Sequence, residues 1–283
     1  MILLGLCIGS FIGAQIWRIR AKQLVADKKQ KEPVDAKELS RLKSLSTTRQ
    51  RDDYSRCLSC GQRLRWYDLI PIVSWVSIAG KCRYCHHKIG VFEPLIEVTT
   101  MLFFIASYLL WPWPLASAGQ IVLFFIWLIA LSMMILLAAY DVRWQLLPDV
   151  INVPLIAIAI IFIIARIVIV GDVSFVSTIG SISLLAGLYG ALYVVSKGAW
   201  IGFGDVKLGI SLGLLLADWR LAFIALFFAN LIGCVIVLPG LLRRNLTRES
   251  KIAFGPLLIV GTLIAWWWGS QLISWLLLPG RFI

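Results

Sequence analysis

Long apolar runs set the first limit on what this chain can fold into. They fall at about residues 1–17, 94–115, 119–140, 150–170, 175–196, 203–217, 219–242 and 254–279. A helix rises about 1.5 Å per residue, so crossing a roughly 30 Å hydrocarbon core takes about 20 residues. Most of the runs reach that length. The 1–17 and 203–217 runs are short, so about eight spans are expected, or seven if one of them fails to cross. Hydrophobic residues make up 60% of the 283-residue chain, whereas soluble domains hold roughly 45–50%. A single water-soluble core of this size cannot hide such a surplus. The expected fold is an all-α membrane protein, a polytopic bundle whose solvent is the lipid bilayer.

The net charge of +12 raises nucleic-acid binding as an alternative. The charge is not spread as a binding stripe, however. It is concentrated in residues 18–88, and most of the remainder lies in short connections between apolar runs. Lys and Arg accumulate on the cytoplasmic side of membrane proteins, so residues 18–93 are expected inside the cell and no nucleic-acid partner is expected. Alternation then places residues 141–149 and 197–204 inside as well. Arg166 and Arg220 run against this trend. The first run meets Arg18 and Arg20 without a small-residue cleavage site, so it reads as a retained span. Trp111, Trp113, Trp219 and the tryptophans at 266–268 are expected as interfacial belt residues.

Within the polar segment, residues 21–56 are charge-rich and read as an exposed helix or a mobile stretch. Residues 57–90 read as a small folded module. Cys57-Leu58-Ser59-Cys60 and Cys82-Arg83-Tyr84-Cys85 form two CxxC pairs separated by 21 residues. Each pair lets one tight turn aim two sulfurs at a point, and two such turns supply the four thiolates of a tetrahedral zinc site. Gly61 permits the positive φ such turns need. Two disulfides are the alternative, and a reducing cytoplasm argues against them. His86 and His87 read as surface residues, because four thiolates already complete a site. Cys7 and Cys234 lie in apolar stretches and read as packing residues.

Carboxylates beside lipid are costly and usually functional. Asp141 ends the 119–140 run, and Asp205 opens the 203–217 run in Gly202-Phe203-Gly204-Asp205-Val206-Lys207. Both are expected at the cytoplasmic side at similar depth. If they meet, one carboxyl keeps its proton while the other loses it. The ionised one draws a proton from water, and the protonated one donates to the carbonyl oxygen or the leaving amine. Gly202 and Gly204 would let a substrate backbone approach. The bland readings are a helix cap or a solvated loop residue, and residue physics alone leaves them open for Asp141. Asp149 reads as an N-cap, Asp172 and Asp218 as turn residues, and Lys207 as a snorkelling lysine, with pairing to an acid as the alternative.

Together these blocks resemble the type IV prepilin peptidase (leader peptidase/N-methyltransferase) family of GxGD-type intramembrane aspartic peptidases. The resemblance covers nearly the whole chain. Gly9-Ser10-Phe11 with Arg18 is similar to the first-span motif. The two CxxC pairs, residues 66–71, Ser74-Trp75, Gly80 and Pro94-Leu95-Ile96-Glu97 are similar to the cytoplasmic module. The blocks at 141–149, 202–208 and Phe254-Gly255-Pro256 follow in order. The resemblance implies that Asp141 and Asp205 are the catalytic pair, supported by Gly202, Gly204 and Lys207. It implies prepilins and pseudopilins as substrates, cut after a glycine at the cytoplasmic face of a bacterial plasma membrane. It also implies methylation of the new N-terminus with S-adenosylmethionine, with Gly80 linked to that step. Asp68, Glu93 and Glu97 are candidates for meeting the basic leader.

The resulting organisation is a first span at 1–17, a cytoplasmic domain at 18–93 with its four-Cys zinc module at 57–90, and a catalytic bundle at 94–283. Two rivals remain at this stage. One is a peptidase that does not methylate. The other is a zinc-bearing membrane scaffold or transporter in which the acids cap helices or bind ions.

Overall fold

A computed structural model describes residues 1–47, 54–242 and 253–277. The chain divides into two compact units, Met1–Leu109 and Leu110–Ile283. The regular elements among the described residues are helical, apart from two isolated β-bridges in the cysteine module.

In the first unit, α1 (Ile2–Lys29) continues well past the apolar run and carries Lys28 and Lys29 in its last turn, where cations complement the helix dipole. A short helix, α2 (Ala36–Thr47), folds back against it. Arg20 holds Glu38 at 2.7 Å. The long α4 (Phe92–Leu109) is the second main wall of this unit. It packs on α1 along a stripe of small residues. A Cβ at Gly5 would sit 2.6 Å from the Met101 Cα, and one at Gly9 would sit 2.6 Å from the Glu97 Cα. Only glycine lets two backbones approach that closely, the usual logic of small residues at four-residue spacing in membrane helices. The Trp17 indole N–H then donates to Glu93 at 2.9 Å. Between α2 and α4 lie a 3-10 turn at Trp66–Leu69 and a single-turn α3 (Val73–Ser77).

The second unit holds α5 (Ala118–Trp144), α6 (Asp149–Ile169), α7 (Phe175–Ile182), α8 (Leu188–Ser196), α9 (Phe203–Leu216), α10 (Trp219–Leu242) and α11 (Gly255–Leu277). A π-helical turn, Ser183–Gly187, joins α7 to α8 into one continuous rod. A reciprocal capping box opens α5: the Gln120 N–H donates to the Ser117 hydroxyl at 3.2 Å, and the Ser117 N–H donates to Gln120 at 3.0 Å. Such a box satisfies two otherwise orphaned donors at a helix start.

Among the described residues, seven helices are long and apolar enough to cross a membrane. The short 203–217 run accounts for the difference from the expected eight. It forms α9, 14 residues long, which reaches only about 21 Å at 1.5 Å per residue. Leu208, Leu212, Leu215 and Leu216 of α9 are fully buried, so this helix belongs to the interior of its unit. It sits tightly on the π-turn, where a Cβ at Gly209 would come 2.6 Å from the Leu185 carbonyl oxygen. The outer faces of the long helices show the opposite pattern. Val168, Phe175 and Val176 are each more than three-quarters exposed, which is the dress of a lipid-facing surface. The chain is a multi-pass membrane protein.

The tryptophans depart from the belt expectation. Trp266 stacks on the fully buried Trp127, with ring centroids 4.2 Å apart, and Trp111 and Trp113 join the same cluster. Trp267 is buried as well, while Trp219 and Trp268 remain about half exposed. Large rings fill the space between α5, α6 and α11 more effectively than aliphatic residues, and aromatic pairs add about 0.5–1.5 kcal/mol beyond burial. The two arginines that broke the charge trend are each paired. Arg166 holds Asp172 at 2.8 Å and also donates to the Leu216 carbonyl at the end of α9. Arg220 holds Asp218 at 2.9 Å. Burial alone would raise the Asp218 carboxyl, but Arg220 outweighs it and holds the group below the usual range.

Candidate active site and metal centre

The cysteine module is built as two copies of one turn. In the first, the Cys57 N–H donates to the Gln62 carbonyl and the Gly61 N–H to the Cys57 carbonyl. In the second, the Cys82 N–H donates to the His87 carbonyl and the His86 N–H to the Cys82 carbonyl. An isolated antiparallel bridge closes each turn, Arg56 with Arg63 and Lys81 with Lys88. The residue after the second cysteine takes a positive φ both times, 71° at Gly61 and 54° at His86. Glycine adopts this conformation without cost, whereas histidine does so less often. His86 therefore has a backbone role in the second turn that its surface position alone did not suggest.

The four sulfurs of Cys57, Cys60, Cys82 and Cys85 all lie within 4.8 Å of one another, and none is in a disulfide. The Cys57 and Cys85 sulfurs are 3.9 Å apart. A tetrahedral ion with bonds of about 2.3 Å needs sulfur–sulfur edges of roughly 3.8 Å. The donor set therefore fits a metal ion. Burial pushes the Cys57 thiol up to about 11. At Cys82 the cost of burial is outweighed by the backbone N–H groups of Cys85 and Tyr84, which bring the thiol down to about 7.

Asp68 braces this module. It accepts from Arg83 at 3.0 Å, from the Tyr84 hydroxyl at 3.3 Å and from the Arg65 N–H at 3.2 Å. Glu97 is buried and accepts from the Ile72 N–H at 2.7 Å. Asp68, Glu93 and Glu97 thus each have internal partners. Gly80 takes φ 66°, and a Cβ there would sit 3.0 Å from the Trp75 ring. Its role in the fold is to make room for that tryptophan within a left-handed turn.

Asp141 and Asp205 both lie in the second unit, and Leu147 lies beside both Gly204 and Gly255, the neighbours of the two acids. Asp141, near the end of α5, is 5% exposed. Its Oδ2 accepts the Gly255 N–H at 3.0 Å, so the start of α11 is pinned to the end of α5. Asp205 lies in the first turn of α9, with Gly202 as its N-cap residue. Its carboxylate receives the Gly202 N–H and feels the charge of Asp141. Its Oδ1 is buried without a hydrogen-bond partner. A carboxylate in the first turn of a helix is favoured by the helix dipole and by orphaned N–H groups.

Gly202 and Gly204 differ in their surroundings. A Cβ at Gly202 would meet Asp205 Oδ2 at 3.5 Å, an ordinary contact. A Cβ at Gly204 would meet Leu147 at 2.9 Å. The Gly204 requirement is therefore packing against the loop that follows Asp141.

Several residues in this site had no sequence signal strong enough to single out their role. Leu147 touches both Gly204 and Gly255. Asn152 on α6 is fully buried, and its amide donates to the Gly204 carbonyl at 2.8 Å. Tyr189 on α8 is 3% exposed and packs its ring on Phe254, centroids 5.1 Å apart. A buried asparagine or tyrosine inside an apolar run was the only available clue. Two expectations change. Pro148, not Asp149, is the N-cap of α6. Lys207 does not snorkel: it grips both Asp149 oxygens at 2.7 Å, tying α6 to α9 just beside the Asn152–Gly204 bond.

Comparison with known proteins follows the same division. Residues 3–111 match the bacterial Peptidase A24 N-terminal domain, and residues 128–238 match the type IV leader peptidase family. The chain is 31% identical over 261 residues to the prepilin leader peptidase/N-methyltransferase of Pectobacterium carotovorum subsp. carotovorum, covering 91% of this chain and 88% of that protein. The protein of that name from Dickeya chrysanthemi is 31% identical over 266 residues, 92% and 88% of the two chains. That from Pseudomonas aeruginosa is 29% identical over 276 residues, 96% and 90%. No solved structure matches significantly. With both halves of the chain matched in order and the relatives covered almost end to end, the chain belongs to the type IV leader peptidase family.

Proposed function

We propose that this protein is a membrane aspartic peptidase that removes the basic leader of prepilin-like substrates and methylates the new N-terminus, with Asp141 and Asp205 as its acid–base pair. What supports the chemistry is that these two carboxyl groups, 64 positions apart in sequence, lie within electrostatic reach of each other, with Asp141 buried. Two carboxyls so placed share a proton, because both cannot ionise cheaply in a low dielectric. The ionised member takes a proton from water as the water oxygen attacks the scissile carbonyl carbon. The protonated member donates to the leaving amine as the C–N bond breaks. Each group ends in the other's starting state, so the pair is reset by one proton exchange.

The basic residues of segment 18–93 support a cytoplasmic placement of that segment, and alternation of the spans supports the same side of a bacterial plasma membrane for residues 141–149 and 197–204. A leader rich in Lys and Arg would be cut there, where its hydrophobic helix enters the bilayer. The ion held by Cys57, Cys60, Cys82 and Cys85 is proposed to be zinc in a closed structural site, since four thiolates leave no position open. The methyl group would come from S-adenosylmethionine. The space beside Gly80 is taken by Trp75, so no step is assigned to that glycine. Cleavage of a prepilin peptide by the purified protein in detergent or lipid, followed by mass measurement of the product, tests both activities. An intact peptide would refute the peptidase reading, and a product without an added methyl group would refute the second.

A further inference from the structure

Two buried polar atoms in the second unit have no hydrogen-bond partner and lie within electrostatic reach of each other: the Asp205 Oδ1 and the Tyr189 hydroxyl. One is an acceptor when ionised and the other is a donor. Leaving either unsatisfied in an apolar bundle is costly. Buried polar atoms are nearly always paired in native proteins, and an unpaired one beside a reacting group is a candidate for a catalytic role.

The surroundings fix where Tyr189 stands. Gly190, its neighbour on α8, faces Val206, the neighbour of Asp205, with 3.7 Å from the Gly190 Cβ position to a Val206 methyl. The Tyr189 ring packs on Phe254, which immediately precedes the Gly255 that binds Asp141. Tyr189 is therefore wedged between the segments that carry the two acids. The Asn230 side chain neighbours the phenol, and one of its amide N–H groups is taken by the Leu226 carbonyl at 2.8 Å. The π-turn Ser183–Gly187 lies directly before α8. An extra residue in a helical turn rotates everything after it, and such turns recur at functional sites.

We propose that Tyr189 is a further catalytic residue of this site: its phenol O–H donates to the carbonyl oxygen of the scissile peptide. The inference rests on the peptidase reading above. A peptide group has an acceptor and a donor, so it complements the unpartnered phenol and the unpartnered carboxylate oxygen together. As water adds to the carbonyl carbon, negative charge collects on that oxygen, and a donor already in place in a dry site stabilises it without reorganisation. The tyrosine keeps its proton throughout. Proton transfer stays with the two acids, and the C–N bond breaks as described.

The test is steady-state cleavage of a prepilin peptide by the full-length protein and two variants. Tyr189→Phe keeps the ring on Phe254 and removes only the unpartnered hydroxyl, so its thermal midpoint should match or exceed that of the parent. Its kcat should fall by about 100-fold, the usual loss of one such donor, with KM within about threefold. Replacing Tyr189 by 4-aminophenylalanine restores an N–H donor and should recover most of kcat. Unchanged kcat in Tyr189→Phe, a loss confined to KM, or no recovery with the amino variant would each overturn the assignment. Failure of the parent protein to cleave would instead sink the peptidase reading on which the assignment rests.

Discussion

The backbone N–H of Gly255 donates to Asp141 Oδ2 at 3.0 Å, joining two residues 114 positions apart. A Cβ at residue 255 would lie 2.8 Å from that same oxygen and 3.3 Å from a Leu147 methyl. Asp141 therefore has its place because residue 255 has no side chain. Gly255→Ala should displace the Asp141 carboxylate and lower the cleavage rate by roughly 100-fold, as misplacements near 1 Å do. Peptide cleavage with circular dichroism as a folding control checks this. Full activity would mean that the α5–α11 contact is incidental.

Asp141→Asn and Asp205→Asn remove the shared proton with almost no change of shape. Each should abolish detectable leader cleavage, while membrane insertion and helix content survive. Asp141→Asn retains an acceptor for the Gly255 N–H, so a large stability loss is not expected. Substantial cleavage by either variant would end the dyad assignment.

Asn152 and Lys207 both tie α6 to α9, in different settings. The Asn152–Gly204 bond is buried, and because its partner is a carbonyl oxygen, the amide must present its nitrogen there. The Lys207–Asp149 pair is partly exposed, with the Asp149 side chain at 61%. Such pairs contribute about 0–1 kcal/mol. Lys207→Met should therefore change cleavage less than about threefold. Asn152→Leu frees the backbone beside Asp205 and should lower kcat by about 10-fold, the rate equivalent of one hydrogen bond of about 1.4 kcal/mol. Comparing kcat for the two variants separates the roles, and equal effects would contradict them.

The cysteine module is small and polar, so an ion contributes much of its folding energy. One zinc per chain should be found by elemental analysis. Cys57→Ser with Cys60→Ser should lose it and make the 57–90 segment sensitive to protease. Chelation of the parent protein should reproduce that sensitivity. Unchanged metal content in the double variant would remove the proposal of a four-thiolate site.

What the sequence by itself determined is whatever physics acts over a short stretch of chain. Apolar run length follows from bilayer thickness, so the long spans could be read directly. The two CxxC pairs announced a metal module because four thiolates at that spacing have few other uses in a reducing compartment. Asp141 and Asp205 drew notice because carboxylates beside lipid are costly. Tertiary structure decided the rest. That Gly255 grips Asp141, that Asn152 holds Gly204, that Tyr189 packs on Phe254 and that Trp266 turns inward to stack on Trp127 are all contacts between segments distant in sequence. A buried asparagine or tyrosine looks like any other interruption of an apolar run until packing supplies its neighbour. The short run at 203–217 shows the same limit: hydropathy gave its composition, but only its burial against the π-turn and α6 showed that it lies inside the bundle and not as one more full-length span.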